Sequence, residues 1–247
     1  MRVSKEELIT VLARFNPWWR GEPIADLSTW RRAAWRALDQ WMTDPPAHRA
    51  IMVSGARQVG KTTLLLQQVD GLLKQGVAPA NILYATFDHP VLKLAGVDAV
   101  LQAWREREPR VDGPEYLFLD EVQFVRDWGT WVKHQVDFHK QRRIAFTGSA
   151  MPLVQADQES GVGRWNTIRM TTLSFYEYLQ IKQLQLPSLP ALRSLTELFD
   201  WPQPDLYRVQ ELAAPYVGHF HEYLVRGGFP QTAQVDSITQ AQRLLRE

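Results

Sequence analysis

The chain contains no cysteine, and this absence excludes several kinds of chemistry. Without thiols there are no disulfides, zinc–thiolate sites or iron–sulfur clusters, and no catalytic thiol. An excess of charge is missing as well. The 28 basic and 27 acidic side chains leave a formal net charge of +1, so no global field attracts the chain to nucleic acid or to anionic lipid.

Long apolar runs are also absent. No run approaches the roughly 20 residues that span a bilayer, and the first residues lack the apolar centre of a signal peptide. These features predict a cytoplasmic protein with no membrane partner. The 45% apolar and 22% charged residues are typical of a folded globular chain rather than a disordered one.

The apolar pattern predicts an α/β fold with about five parallel strands. Short apolar runs, of the kind that suits strands buried on both faces, alternate with amphipathic helical segments. The strand candidates are residues 50–54, 82–87, 116–119, 144–147 and 165–172. A helical segment precedes them, in which Ser28 is a candidate cap for the second helix. The predicted domains are an N-terminal helical segment (1–46), a core (47–185), a connector (186–206) and a truncated helical C-terminal segment (207–247).

One motif joins the first strand to the helix that follows it. It fits the pattern G-x-x-x-x-G-K-[ST], in which backbone N–H groups at a helix start surround a phosphate. Lys61 is predicted to bridge the β- and γ-phosphates, the Thr62 hydroxyl to bind Mg²⁺, and Thr63 to reach the α-phosphate. The predicted phosphate-binding loop comprises Gly55, Ala56, Arg57, Gln58, Val59, Gly60, Lys61, Thr62 and Thr63.

Two adjacent carboxylates follow the third apolar run. Asp120 is predicted to hold the Mg²⁺ water shell, and Glu121 to polarise the attacking water. A complete strand and helix fit between Lys61 and Asp120 in the sequence. This spacing implies an extra strand between the loop strand and the carboxylate strand. The expected fold is therefore a three-layer P-loop NTPase of the additional-strand, catalytic-glutamate type.

Three further polar residues are candidates for the γ-phosphate. Thr147 and Ser149 end the fourth strand, where they either orient the attacking water or form an ordinary strand-end turn. Arg164 precedes the fifth strand. It either stabilises charge on the γ-phosphate, in its own chain or from a neighbouring one, or forms a surface salt bridge.

Tryptophans are the other unusual feature, with ten in the chain. Trp18 and Trp19 follow a helix-ending proline and are candidates to stack on adenine; the alternative is packing of the N-terminal helices. Arginine pairs at 31–32 and 142–143 form basic islands and not the stripe that nucleic-acid binding predicts.

Together these motifs resemble the predicted AAA+ superfamily ATPases of bacteria and archaea, and the resemblance covers nearly the whole chain. The Arg57-Gln58 pair inside the phosphate-binding loop and the Gly-Gly-Phe-Pro turn downstream are more specific to this family than the loop motif alone. Family proteins usually have proline where Ala56 stands. The matching segments are residues 16–19, 55–63, 119–123 with Trp128 and Lys133, 147–149, 163–164, 173–177 and 227–230.

The resemblance implies ATP binding, with ATP/ADP and Mg²⁺ as cofactors, and hydrolysis coupled to remodelling of a partner. Nucleotide roles carry over to Lys61, Thr62, Asp120 and Glu121, and also to Ser149 and Arg164. A homo-oligomer and nucleic acid are candidate partners. The alternative is a slow-turnover, nucleotide-dependent switch in signalling or defence. Family proteins also continue beyond this length, and Arg226 is the one nearby candidate for a second sensor arginine.

Overall fold

The computed structural model describes residues 3–45, 47–148, 163–186 and 188–245. Two compact units divide the chain, Met1–Thr171 and Thr172–Glu247. The domain boundaries predicted from the sequence differ from this division and stay predictions. Within the described residues, no helix is both long and apolar enough to cross a membrane.

The first unit contains a five-stranded sheet in which every pairing is parallel. Its strands are β1 (Ala50–Gly55), β2 (Ile82–Thr86), β3 (Glu115–Asp120), β4 (Arg142–Gly148) and β5 (Trp165–Met170). Their spatial order is β2-β3-β4-β1-β5. This arrangement confirms the predicted α/β class and its additional strand.

The strand that separates the loop strand from the carboxylate strand is β4. The sheet thus contains the additional strand that the spacing of Lys61 and Asp120 implied, whereas β2, which lies between them in the sequence, lies elsewhere in the sheet. β2 forms one edge of the sheet. The chain passes from β1 to that edge, and β3 and β4 then fill the places between β2 and β1. Position in the sequence therefore did not give position in the sheet.

Helices cover both faces of this sheet. They are α1 (Lys5–Phe15), α2 (Ala34–Thr43), α3 (Lys61–Lys74), α4 (Pro90–Arg107) and α5 (Trp128–Phe138). Alternate strand residues such as Met52 and Phe146 join α1, α4 and α5 in one buried cluster. Their neighbours, such as Val53 and Ala145, are equally buried but lie outside that cluster, as expected for side chains on the opposite face. Helices α2 and α3 pack together there.

Side-chain hydrogen bonds define both ends of the first helix. The Ser4 hydroxyl accepts a hydrogen bond from the Glu7 N–H at 3.1 Å, and Leu8 and Leu12 are buried. The helix ends at Asn16, whose side chain donates to the Tyr84 carbonyl and accepts from the Tyr84 N–H, at 2.8 and 2.7 Å. This fully buried amide attaches the end of α1 to strand β2.

The start of α2 differs from its prediction. Ser28 does not cap the helix, which begins at Ala34. The Ser28 hydroxyl instead donates to the Trp30 carbonyl, and the carbonyls of Ser28 and Trp30 both accept from the Gln67 side chain, at 2.8 and 2.7 Å. Residues 28–33 therefore precede α2, and the Gln67 side chain holds this segment against α3.

The second unit is helical. Its α-helices are α6 (Phe175–Ile181), α7 (Gln203–Ala213), α8 (Val217–Arg226), α9 (Pro230–Gln234) and α10 (Ile238–Leu244). Helix α6 starts with a capping box in which Ser174 and Glu177 bond each other's backbone. The buried Arg226 guanidinium bonds Glu222 and the carbonyls of Val235 and Asp236, at 2.6–2.8 Å. These contacts give Arg226 a structural role inside this unit.

Candidate functional site

The loop at residues 55–60 connects β1 to the first turn of α3. Two of its residues have left-handed backbone angles, Gln58 with φ of 63° and Gly60 with φ of 95°. Gly55 is needed for a different reason, because a Cβ there would lie 2.3 Å from the Met170 carbonyl oxygen. Ala56, Arg57 and Gln58 are exposed while Val59 is buried. The loop thus presents its backbone to solvent and is anchored by one apolar side chain.

The Lys61 side chain folds back onto the backbone of this loop. Its ammonium donates to the carbonyls of Gly55 and Ala56, at 3.2 and 2.9 Å. It also lies 3.7 Å from a carboxylate oxygen of Glu121. Only 4% of the Lys61 side chain is exposed. The charge is therefore held within the curve of the loop, next to one acid.

Asp120 collects three hydroxyl groups at the end of β3. Its Oδ2 accepts from Thr62 at 2.7 Å and from Tyr84 at 3.0 Å, and its Oδ1 accepts from Thr147. Burial raises the pKa of Asp120; the three hydrogen bonds oppose that rise, and the charge of Glu121 adds to it. A bound cation would relieve the same burial penalty.

Glu121 has a left-handed backbone with φ of 54°, a conformation that costs free energy for a residue other than glycine. Its N–H donates to the Thr147 hydroxyl at 2.9 Å, and its carboxylate accepts from the Gln123 side chain. Its side chain is 20% exposed. The acid is therefore held in one orientation but remains accessible to water.

The sequence-predicted residues that come together are Lys61, Thr62, Asp120, Glu121 and Thr147. They belong to α3, β3 and β4, except Glu121, which directly follows β3. They meet at the edge where the parallel strands end, because the registers align Asp120 with Thr86 and Ser54 with Gly148. We call this the carboxyl edge of the sheet. Thr63 is exposed in the first turn of α3. Ser149 lies outside the described residues.

The structure places Trp18 and Trp19 away from the phosphate-binding loop, and their adenine role stays a prediction. Both indole N–H groups donate to the carbonyl of Ile82, at 3.2 and 3.0 Å, and Ile82 is the first residue of the edge strand β2. These indoles therefore lie at the opposite, amino edge of the sheet, three strands away from β1. Trp18 is buried there, in agreement with the packing alternative.

Arg164 is also at the amino edge. Its carbonyl accepts from the Ala50 N–H at the start of β1, whereas the phosphate-binding loop follows the end of that strand. Its guanidinium forms a half-exposed ion pair with Asp137, with Nε 2.7 Å from Oδ1. About six strand residues at ~3.3 Å each separate Arg164 from the loop of its own chain, which disfavours a role on the γ-phosphate of that chain. A role on a neighbouring chain's nucleotide stays a prediction.

Two site residues were missed by the sequence analysis. Tyr84 donates to Asp120 from within an apolar strand, where the signal was a hydroxyl in an otherwise aliphatic run. Arg32 is buried, and its guanidinium donates to the carbonyls of Val59 and Thr171 at 2.9 and 2.8 Å. The sequence showed Arg32 only as one half of a basic pair, with nothing to connect it to the loop.

The donors at the carboxyl edge fit magnesium and a phosphate chain. Thr62 and Asp120 supply adjacent oxygen atoms, which are the ligands that Mg²⁺ prefers. The backbone N–H groups at the start of α3, together with the Lys61 ammonium, supply positive charge for an anion.

Comparison with known sequences identifies one family and one relative. A family model described as an AAA domain matches residues 47–179. An uncharacterized protein of Haemophilus influenzae is 33% identical over 140 residues, which are 56% of this chain and 34% of that protein. The match thus spans about a third of the relative's length.

Three solved structures are similar, each at low sequence identity. Cdc6p from Pyrobaculum aerophilum has a TM-score of 0.45 and 15% identity, over 66% of this chain and 50% of that one. AMPPCP-bound DnaA from Aquifex aeolicus has a TM-score of 0.42 and 16% identity, over 83% and 66%. The Aeropyrum pernix Orc1 protein in complex with DNA has a TM-score of 0.45 and 13% identity, over 86% and 64%.

Proposed function

The chain belongs to the AAA domain family. From that premise we propose that it binds ATP with Mg²⁺ and hydrolyses the phosphoanhydride bond between the β- and γ-phosphates. The hydrolysis is coupled to remodelling of a partner macromolecule, with DNA as the first candidate. The observation that carries the proposal is the meeting of Thr62 with Asp120 at 2.7 Å and of Lys61 with Glu121 at 3.7 Å, at the mouth of one loop.

The loop and Lys61 account for nucleotide binding. Lys61 donates to two carbonyls of its own loop, and phosphate oxygens are stronger acceptors than carbonyls because they carry charge. The ammonium is therefore expected to turn from the Gly55 and Ala56 carbonyls to the β- and γ-phosphates. Gln58 and Gly60 have the left-handed backbone angles that turn the loop at this place.

Thr62 and Asp120 account for the metal. The Thr62 hydroxyl would contact the ion directly, and the Asp120 carboxylate would hold its water shell. When bound, Mg²⁺ neutralises charge that develops on the phosphate oxygens. Tyr84 and Thr147 hold the Asp120 carboxylate in place by hydrogen bonds, so the carboxylate is oriented before any ion arrives.

Glu121 accounts for hydrolysis. Its carboxylate would accept a proton from the attacking water, and the left-handed backbone at Glu121 directs that side chain toward Lys61. Thr147 fixes the same residue through its N–H. A general base contributes about 10²–10⁴ in rate, so Glu121 is the residue whose removal separates binding from turnover.

The test is the substitution Glu121→Gln in the full chain. We expect Mg–ATP affinity by calorimetry to stay within about threefold, while phosphate release falls at least about a hundredfold. Glu6→Gln, which removes an exposed carboxylate from α1, is the matched control and keeps wild-type turnover. Undiminished phosphate release from Glu121→Gln contradicts the catalytic role, and an absence of Mg–ATP binding to the wild type contradicts the whole proposal.

The same assay tests the coupling to a partner. Phosphate release is measured with and without duplex DNA. The Glu121→Gln variant is measured in the same way, and its release gives the contribution of any contaminating DNA-stimulated ATPase. Stimulation of the wild type alone supports DNA as the partner. Unchanged release with DNA directs the search to a protein partner and leaves the ATPase assignment intact.

A further inference from the structure

A second cluster of positive charge lies at the amino edge of the sheet. A cavity of about 70 Å³ opens there between the ends of α2 and α5 and the starts of β1 and β4. Since roughly 10–15 Å³ suffices for one water molecule, the cavity accommodates a group the size of phosphate. Six basic side chains line it: His48, Arg49, His139, Lys140, Arg142 and Arg143. We call it the basic cavity.

The basic cavity is separate from the proposed nucleotide site. It includes Ala50, the first residue of β1, whereas the phosphate-binding loop starts at Gly55, the last residue of that strand. Five residues of extended chain at ~3.3 Å each place the two about 17 Å apart. A ligand in the basic cavity therefore does not share donors with the loop.

The carboxylates next to the basic cavity are already paired with other arginines. Glu115 forms ion pairs with Arg105 and Arg142, each at 2.7 Å, and Asp137 pairs with Arg164. Among the residues that the structure describes, Arg49, Lys140 and Arg143 form no salt bridge. The cavity thus holds three uncompensated cations beside its histidines.

One of these cations is partly buried without a hydrogen-bond partner. The Nη1 atom of Arg143 has almost no accessible surface, and none of the described residues accepts its hydrogen bonds. A buried donor without an acceptor costs free energy, more so when the donor is charged. The pKa of the neighbouring His139 is lowered, first by burial and then by the positive charges of Arg142 and His134.

A purely structural reading explains part of this cluster. Helices α2 and α5 both end here, and cations near helix C-termini are stabilising. That reading suits the exposed Lys140, which follows α5. It does not explain Arg143, which belongs to a strand and has a buried, unsatisfied nitrogen directed at no carbonyl.

We propose that the basic cavity binds a phosphate group, either free phosphate or a backbone phosphate of nucleic acid. Arg143 supplies a planar guanidinium, which matches the oxygen spacing of phosphate. Arg49 and Lys140 supply exposed cations at the rim, where a longer polyanion could continue. The site requires nothing of the proposed ATPase activity, and its failure would leave that proposal untouched.

The experiment uses the full chain in a Lys61→Ala background, so that the phosphate-binding loop does not compete for the probe. Calorimetry measures inorganic phosphate, and fluorescence anisotropy measures a labelled DNA duplex at several salt concentrations. The double variant Arg49→Gln/Lys140→Gln alters only exposed residues, so it threatens folding less than Arg143→Gln. The control Arg14→Gln/Arg36→Gln removes the same charge from exposed positions on α1 and α2.

We expect both cavity variants to weaken phosphate binding at least tenfold, and the control to stay within twofold. If duplex DNA also binds, loses affinity in the same variants and shows a salt slope smaller by about 0.9 per lost contact, its backbone is the ligand. If phosphate binds and DNA does not, free phosphate is the ligand. Absence of both, or equal loss in the cavity and control variants, overturns the proposal.

Discussion

The two edges of the central sheet handle charge in opposite ways. At the carboxyl edge, the acid Asp120 is bonded by three neutral hydroxyls. At the amino edge, the acid Glu115 is bonded by two arginines and is 5% exposed. An acid held by neutral groups is ready to bind a cation, whereas an acid held by cations serves the fold. The difference separates a site from a structural ion network.

The largest effect that tests this comparison is expected for Asp120→Asn. Loss of the carboxylate removes the charge that would hold Mg²⁺, so ATP hydrolysis should fall at least about a hundredfold. The nucleotide-free chain should not lose stability, because burial raises the pKa of Asp120 and the ionised form is disfavoured in the fold. Steady-state phosphate release and thermal unfolding without nucleotide measure the two effects.

The sign of the stability effect follows from linkage. A carboxyl whose pKa is raised by folding loses stability as the pH rises from its unfolded pKa through its folded pKa, and the penalty is complete above the folded pKa. Asparagine removes the penalty and keeps an oxygen for the hydroxyls, so the melting temperature should equal or exceed that of the wild type. A markedly lower melting temperature would show that Asp120 is a structural acid like Glu115, and the comparison would fail.

The second effect is expected at the amino edge for Glu115→Gln. The substitution leaves Arg105 and Arg142 uncompensated in a largely buried place, which costs several kcal/mol for buried pairs. Because these arginine side chains are 20% and 17% exposed, we expect about 3 kcal/mol, the lower end of that range. Denaturant unfolding measures it, and ATP turnover per folded molecule should be unchanged.

The pH dependence of the same acid provides an independent check. Burial acts to raise the pKa of Glu115, but the hydrogen bond from Arg142 and the charges of Arg105 and Arg142 outweigh it, so the pKa is lowered. The stabilisation is therefore present above about pH 4.5, its ordinary value, and is lost as the pH falls below it. Glu115→Gln should flatten this loss. If the variant lost stability equally steeply at low pH, the ion pairs of Glu115 with Arg105 and Arg142 would not be the cause of the acid sensitivity.

The sequence predicted the carboxyl edge far better than the amino edge, for a physical reason. The phosphate-binding loop is contiguous, and Asp120 and Glu121 directly follow an apolar run, so local patterns report both. Tyr84 and Arg32 reach the site only through sheet order and the path of residues 28–33, which no local pattern contains. The basic cavity likewise combines the segments around Arg49 and Arg143, which are distant in the sequence and share no motif.

The smallest effect concerns Trp19, which the sequence linked to the nucleotide and the structure puts at the amino edge. Trp19→Phe removes one indole hydrogen bond to the Ile82 carbonyl and leaves a smaller aromatic ring in its place. A hydrogen bond of this kind contributes about 0.5–1.5 kcal/mol, so denaturant unfolding should show a loss of about 1 kcal/mol. ATP affinity should be unchanged, because the ring lies three strands away from the loop strand.

Phe138→Leu, an exposed aromatic change on α5, is the control and should leave both quantities as they are. If Trp19→Phe lost ATP affinity without losing stability, the result would support stacking of Trp19 on adenine. It would also contradict the position of Trp19 at the amino edge.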